Sequence, residues 1–500
     1  MFRPSLHQSY QTTPYPSRPV PLSHPEHLYV VSCLHGLSPK APNGARVLEL
    51  GCGAGGNLLP MAATLPAGRF TGIDLSERQI AMAQAAARAG NLDNADFLTG
   101  DAVAVLDGRA ERSFDYIILH GLYSWVPRDV QAALLPLCQR LLAPNGIVFV
   151  SYNTYPGWHG RGLARDLMLR AGAGIAEPEE RVAAARRALD EMIPALAQAD
   201  DAYAKLLEEE SLRVAELEDG FLLHELLEVE NHPLYVDEFL ARAGAAGLQF
   251  VSEANVAASP EENFSPEACR QLAAIKDTVG REQRIDFILN RGFRQTLLCP
   301  AGAVIHRRIE PGWLAKMHLA SALRPLGPGP NGAPGEVFFA TPDGGRIGMT
   351  APKAIAALNH LALAWPAFIS FRELAAMVGD GAIVAQLAID LYPRNWLDLA
   401  PRPPTFTTTP GPRPEATALA RWQMRRGNMV TDLRHRNVTI TDDFTRQLLP
   451  LLDGRTDRDA LTREIARFEQ DADPLAADDD AEATLEAALR QLAERCLLVQ

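Results

Sequence analysis

The chain reads as an α/β protein: an open parallel sheet flanked by helices, then a mainly helical middle region, then small modules of short helices and strand pieces. Three observations carry this expectation. Residues 1 to about 165 alternate short apolar runs with helical patterns, as a sheet covered on both faces does. From about 178 to 250 the pattern turns to long, charged, Ala/Leu/Glu-rich helices, with Pro194 as the one obvious break. Two segments then punctuate the chain. Pro325 to Gly335 holds four Pro and four Gly in eleven residues, and Pro401 to Pro414 holds six Pro in fourteen. The boundaries so drawn divide the chain into 1–170, 171–325, 326–400 and 415–500.

Each element follows from its residues. Arg46-Val-Leu-Glu-Leu50 is the first strand, running into Gly51-Cys-Gly-Ala-Gly-Gly-Asn57, with a helix over Leu58 to Ala63. Phe70 to Asp74 is the second strand, and Ser76 caps a helix over Glu77 to Arg88. Asp96 to Asp101 is a weaker third strand, Phe114 to Leu119 the fourth, and Gly146 to Val150 the fifth, after the turn Pro144-Asn-Gly146. Farther on, helices are expected over Lys353 to Ala364, Ser370 to Val378 and Asp443 to Leu452, and another opened by Thr456-Asp457. With strand-like pieces such as Asn437 to Ile440 beside them, these units read as small winged-helix-like modules. The run Asp478-Asp-Asp480 reads as a solvated helix start.

Composition excludes several classes. The 500 residues carry 48 Lys+Arg against 61 Asp+Glu, a net charge of −13, with 47% hydrophobic residues, so the chain is globular rather than disordered. A pI near 5.5 argues against a general nucleic-acid binder. Six scattered cysteines without a C-x-x-C indicate a reduced, cytoplasmic protein. The Pro/Ser/Tyr-rich arm from Met1 to Pro25 has no apolar core, so it is not a secretory signal. The longest uncharged stretch, Ala354 to Phe371, contains Asn359, His360 and Pro366, and reads as a buried helix and turn rather than a membrane span.

The glycine turn marks a ligand site, because helix N–H groups there point at whatever the backbone approaches. Gly51, Gly53 and Gly56 even match the dinucleotide spacing. Charge decides between ligands. Asp74 stands at a strand end, where a carboxylate accepts both ribose hydroxyls; Glu49 precedes the turn and Asp101 ends the third strand. Three carboxylates repel a pyrophosphate and attract a ligand bearing an ammonium and a sulfonium, as S-adenosylmethionine does.

At these residues the sequence resembles the class I methyltransferases, whose sheet is Rossmann-like. Glu-Leu-Gly-Cys-Gly-Ala-Gly (49–55) is similar to their first motif, Gly-Ile-Asp-Leu-Ser (72–76) to the second, and Gly-Asp-Ala (100–102) to the adenine-proximal third. The resemblance extends over nearly the whole chain to one bacterial group that carries a methyltransferase regulatory domain. It rests on Tyr15 to Pro21, His24-Pro-Glu-His27, His120 to Pro127 and Ser151 to Trp158. Glu230 to Phe239 and Gln283 to Cys299 resemble the regulatory domain, and Arg434 to Gly454 a C-terminal winged helix. The rickettsial-type protein lysine methyltransferases share this layout, which implies S-adenosylmethionine as cofactor, protein lysine side chains as acceptor and a homodimer. Cofactor contacts are expected from Tyr15, Ser17, Glu49, Gly51, Cys52, Gly53, Gly55, Asn57, Asp74, Leu75, Asp101, Ala102 and His120. The arm bearing Tyr15 and Ser17 is expected to close over the cofactor.

Methyl transfer from a sulfonium is an in-line displacement, so catalysis is mostly positioning and electrostatics. Candidates to line the acceptor channel follow strands four and five: His120, Tyr123, Tyr152 and Asn153, with Tyr152 expected to orient the amine. Trp125 and Trp158 read as core or loop anchors, and Tyr155 as packing under the loop containing Pro156-Gly157. His24 and His27 lack a third ligand, so no metal is expected. His224 and His232 read as polar surface or turn residues. Two other functions stay open: a small-molecule O- or N-methyltransferase, and a cofactor-binding regulator whose modules bind a partner or nucleic acid. The basic cluster Arg421, Arg425, Arg426, Arg434 and Arg436 favours the last; the net charge opposes it.

Overall fold

The computed structural model describes residues 17–196, 199, 201–256, 264–307, 311–329, 335–472 and 481–499. The roles expected of Tyr15 and of Asp478–Asp480 lie outside these residues. Helix α1 (Pro25–Leu34) precedes the strand–helix alternation β1 (Arg46–Leu50), α2 (Leu58–Thr64), β2 (Arg69–Asp74), α3 (Glu77–Ala89), β3 (Ala95–Thr99), α4 (Ala102–Val105), β4 (Phe114–Leu119), α5 (Arg128–Leu141) and β5 (Leu142–Asn153). Ser76 caps α3 by accepting from the Gln79 N–H.

The middle region holds α6 (Gly157–Ala171), α7 (Pro178–Leu196), α8 (Ala202–Glu216), α9 (Asp219–Leu226), α10 (Val236–Ala245), β6 (Leu248–Glu253), α11 (Pro266–Ala274), α12 (Thr278–Leu289) and β7 (Phe293–Pro300). Pro194 does not end α7, which runs through it to Leu196. The sheet has seven strands in the order β3-β2-β1-β4-β5-β7-β6, with β7 antiparallel to both neighbours. Five strands are legible within 1–170; the last two come from the middle region and carry the sheet across that boundary. Both are short apolar runs inside helix-rich sequence, where periodicity alone separates them poorly from buried helix.

Alternation along each strand divides the core. Val47, Phe70, Tyr116 and Phe149 face α1, α2 and α3, whereas Leu48, Ile117, Val150 and Tyr152 face α5 and α10. Helices α6 to α9 close a separate core around Trp125, Trp158, Met168, Leu189 and Leu223.

The third unit contains β8 (His318–Ala320), β9 (Arg324–Pro328), β10 (Val337–Ala340), β11 (Arg346–Met349), α13 (Pro352–Ala364), β12 (Ile369–Ser370), α14 (Phe371–Val378), α15 (Gly381–Leu391) and β13 (Asp398–Ala400). Part of the expected boundary at 325–335 is therefore strand. Its prolines are tolerated because β9 is an edge strand in the order β11-β10-β9. The last unit packs α16 (Ala418–Met424), the hairpin β14 (Met429–Thr431) and β15 (Asn437–Thr439), α17 (Asp443–Leu448), α18 (Arg458–Ala472) and α19 (Ala481–Glu494) around Leu448, Leu461, Leu485 and Leu489. No helix among the described residues is long and apolar enough to cross a membrane.

Candidate active site

The glycine turn connects β1 to α2 at the carboxyl edge of the sheet. Gly51 and Gly53 have φ of +75° and +52°, which other residues adopt only with strain, and the Gly51 N–H donates to Ile73 O at 2.8 Å. Gly56 faces the N-terminal arm: a Cβ there would stand 2.2 Å from Ser17 O, and the Gly56 N–H donates to Ser17 Oγ at 2.7 Å. The segment beginning at Ser17 therefore lies directly across the turn.

These elements enclose a cavity of about 270 Å³. Ser17, Glu49, Gly51, Cys52, Gly53, Asn57, Asp74, Leu75, Asp101, Ala102 and His120, all named above as candidate cofactor contacts, line it. Gly55 does not line it; its φ of +74° shapes the turn. Asp74 accepts from the Gly53 and Ser76 N–H groups, each at 2.9 Å, and burial raises its pKa. Asp101 caps α4, its Oδ1 accepting from Val103 N and Ala104 N at 3.0 Å. Glu49 is fully buried. Its Oε1 accepts from Asn57 Nδ2 at 2.7 Å, while Oε2 finds no partner among the described residues. Burial, reinforced by the Asp74 charge, pushes the Glu49 carboxyl up to about 8. Burial likewise holds the Cys52 thiol protonated, so it fills space rather than reacts.

His120 stands at the end of β4, its ring 6.2 Å from Phe149 and 6.5 Å from Phe293. Burial lowers its pKa to about 4, so the imidazole is neutral, and Nδ1 has no partner among the described residues. Trp125 forms part of the same wall and meets Trp158 edge-on at 6.2 Å, combining lining and anchoring roles.

Three expected channel residues stand elsewhere. Tyr152 is buried with its ring stacked 4.0 Å from Phe239 and its hydroxyl 3.3 Å from Thr296 Oγ1. Tyr123 packs edge-on to Phe239 at 5.4 Å. Neither lines the cavity, because alternation turns Tyr152 with Val148 and Val150 into the α5–α10 core. Asn153 is also outside the wall; it ties β5 to the following region through a 2.9 Å bond from Nδ2 to Asn231 Oδ1.

The cavity also has a wall that sequence reasoning missed. Phe221, His224 and Glu225 of α9, with Phe293 of β7, line the same cavity. His224 is buried, with Nδ1 3.2 Å from Glu228 Oε1, rather than a surface residue. Arg18 fastens the arm to α9 through Glu218 at 2.9 Å and lies over Phe221 at 5.1 Å. The i, i+3, i+4 grouping of Phe221, His224 and Glu225 on one helix face was the only available signal. His24 and His27 serve structure: His24 caps α1 and His27 Nε2 meets Ala254 O at 2.8 Å. No group of metal-ligating side chains occurs among the described residues.

The residues fit S-adenosylmethionine: Glu49, one of whose oxygens has no partner among the described residues, lines a cavity with three further carboxylates, Asp74, Asp101 and Glu225, suited to a cationic ligand. Comparison with known proteins agrees. Residues 47–146 match a methyltransferase domain model, 218–300 a predicted methyltransferase regulatory domain, and 412–498 the PKMT C-terminal winged helix domain. The chain is 37% identical over 313 residues to RP789 of Rickettsia prowazekii, covering 63% of this chain and 56% of that protein. It is 33% identical over 236 residues to RP028 of the same organism, covering 47% of this chain and 93% of that one. PKMT2 from Rickettsia typhi, solved in complex with AdoHcy, superposes with a TM-score of 0.85 at 27% identity, over 97% of this chain and all of that one. The chain thus belongs to the class I S-adenosylmethionine-dependent methyltransferases built with a methyltransferase regulatory domain and a PKMT-type C-terminal winged helix.

Proposed function

We propose that the protein transfers methyl groups to lysine side chains of a protein substrate. The observation that carries this reading is the likeness to PKMT2, which extends over 97% of the chain and includes the C-terminal unit. S-adenosylmethionine supplies an electrophilic methyl group, and its transfer to an amine nitrogen leaves a neutral thioether. Asp74 would hold the ribose hydroxyls, Leu75 and Ala102 the adenine, and Glu49 the cationic end. His120 contributes a neutral imidazole whose Nδ1 has no partner among the described residues and, with the proton on Nε2, would accept a hydrogen bond from an amine without adding charge. Glu225 adds a carboxylate to the α9 wall.

The mouth of the site supports a large substrate. Phe293 lines the cavity and is 42% exposed, and Phe287, Ile288 and Leu289 at the end of α12 are exposed beside it in sequence. Apolar surface there suits a polypeptide around the acceptor lysine. Part of the basic cluster that favoured the regulator reading is engaged within the molecule: Arg434 and Arg436 both pair with Asp398 and Arg426 lies over Trp422. The proposal includes a cytoplasmic setting and a homodimer associating through the middle region, which light scattering of the purified chain tests.

Incubation with isotopically labelled S-adenosylmethionine and whole-cell protein, followed by peptide mass spectrometry, tests the acceptor. Label on lysine Nε supports the proposal. Label confined to small molecules or to oxygen overturns it.

A further inference from the structure

Asn57 is the residue through which the cofactor cavity meets the far end of the chain. Its carboxamide has four hydrogen-bonding positions, and all four are filled. Nδ2 donates to Glu49 Oε1 at 2.7 Å and to Ser23 Oγ at 2.9 Å. Oδ1 accepts from Val20 N–H at 2.8 Å and from His435 Nε2 at 2.8 Å. His435 is 378 residues away in sequence and sits in the turn of the β14–β15 hairpin of the winged-helix unit. Because Oδ1 only accepts, Nε2 carries the imidazole proton. The ring is wholly buried beside His24, 4.9 Å between centroids, and burial keeps it neutral.

The hairpin turn is built to present this one donor. His435 adopts a left-handed φ of +59°. Asp432 Oδ1 accepts from Arg434 N at 2.9 Å and Arg436 N at 2.7 Å, fixing the backbone on either side. The Arg434 and Arg436 side chains both reach Asp398, and Arg434 also lies over Trp365 and Phe368 at 4.6 and 5.1 Å. The basic turn is thus consumed inside the molecule, where it holds His435 against Asn57.

We propose that His435 is a positioning residue for the cofactor site: through Asn57 it fixes the Glu49 carboxyl that faces the cofactor, making the winged-helix hairpin part of the cofactor-binding apparatus. Without the His435 bond Oδ1 keeps only the Val20 N–H, and the amide is held by three bonds instead of four, so its pose is less firmly fixed. A looser amide weakens the bond that Glu49 Oε1 accepts from Nδ2, and Glu49 is less firmly held in the pose in which it lines the cavity. By linkage, whatever holds the hairpin in place tightens cofactor binding, and the cofactor holds the hairpin by the same amount. This inference does not depend on which acceptor is methylated.

Two measurements on the full chain test it. Calorimetry with S-adenosylhomocysteine compares wild type, His435→Met and His435→Gln, substitutions of similar length at the same backbone. The Met variant lacks the donor and is expected to bind about ten-fold more weakly. The Gln variant keeps an N–H at the distance of Nε2 and is expected to restore most of the loss. Equal affinities in wild type and the Met variant overturn the proposal, as does an equal loss in both variants, which marks His435 as packing alone. Hydrogen exchange of the wild-type protein needs no variant. Adding S-adenosylhomocysteine is expected to slow exchange in residues 429–439 as well as in the glycine turn. Slowing confined to the turn overturns the coupling.

Discussion

The Asp74 carboxylate accepts the Gly53 N–H at 2.9 Å, so one side chain joins the end of β2 to the glycine turn 21 residues before it. Two jobs fall on the same group: it shapes the turn, and it presents its remaining lone pairs to the cavity.

Asp74→Ala is therefore expected to weaken S-adenosylmethionine binding by about 1.5–3 kcal/mol, the range for hydrogen bonds to a charged group. Calorimetry on the folded variant measures this. Asp74→Asn should lose less, because the Asn oxygen can still accept from the turn.

Glu49 makes the site pH-dependent. Its pKa is raised from 4.5 to about 8 in the folded chain, first by burial and further by Asp74, against the bond from Asn57. Its contribution to stability is thus full below about 4.5 and lost as pH rises through about 8. A cationic ligand favours the ionised form, so affinity should climb with pH below about 8, at most tenfold per unit, and then level. Titration calorimetry between about pH 6 and pH 9, with Glu49→Gln as the comparison, isolates this group: the part of the slope that disappears in the variant belongs to Glu49.

The cofactor half of the site was legible because it is local. Glu49, Gly51, Gly53, Asp74 and Asp101 stand at ends of strands that hydrophobic runs identify, and each strand end is followed by a cap or a glycine turn. Its other half was not legible for a physical reason. Phe221 and Phe293 reach the cavity through packing of α9 and β7, and His435 reaches Asn57 through a hairpin turn in another unit. Contacts of such sequence separation leave no period in the chain. Tyr152 shows the opposite failure: its position after β5 was readable, but its side depends on strand parity.

That parity gives a prediction contrary to a catalytic Tyr152. Tyr152→Phe keeps the stack on Phe239 and loses only the hydroxyl contact, at a cost of about 0.5–1.5 kcal/mol of stability. Its kcat should stay within about two-fold of wild type. Tyr152→Ala removes a buried ring and should cost about 3–5 kcal/mol, read by chemical denaturation.

Arg294, wholly buried on β7, bonds Asp286 through two nitrogens at 2.8 Å each and reaches Glu253 at 2.7 Å and Glu282 at 3.0 Å. Arg294→Met removes the cation shared by Asp286, Glu253 and Glu282 and leaves Arg291, 2.9 Å from Asp286 and 3.9 Å from Glu253, to serve the first two; removing one partner of such a buried set costs up to about 3–5 kcal/mol. The loss should appear as a lower denaturation midpoint and not as a selective loss of cofactor affinity, since none of these residues lines the cavity.

His120 separates positioning from binding. Its imidazole stays neutral because its pKa is lowered to about 4 by burial, and Nδ1, without a partner among the described residues, can accept a hydrogen bond in the tautomer that carries its proton on Nε2. A hydrogen bond to the reacting amine that is made only on the way to the transition state affects kcat and leaves cofactor affinity alone. His120→Ala is therefore expected to slow single-turnover methylation on the order of ten- to a thousand-fold, the effect of losing one preorganised polar contact. His120→Asn, which offers an amide oxygen from a shorter side chain, should recover part of the rate. Titration of a group at about 4 also leaves the kcat profile flat from His120 across neutral pH, so an inflection near the ordinary histidine value of about 6.5 that vanishes in His120→Asn would contradict the buried, neutral state. A wild-type single-turnover rate in a folded His120→Ala protein would remove His120 from the acceptor side of the site.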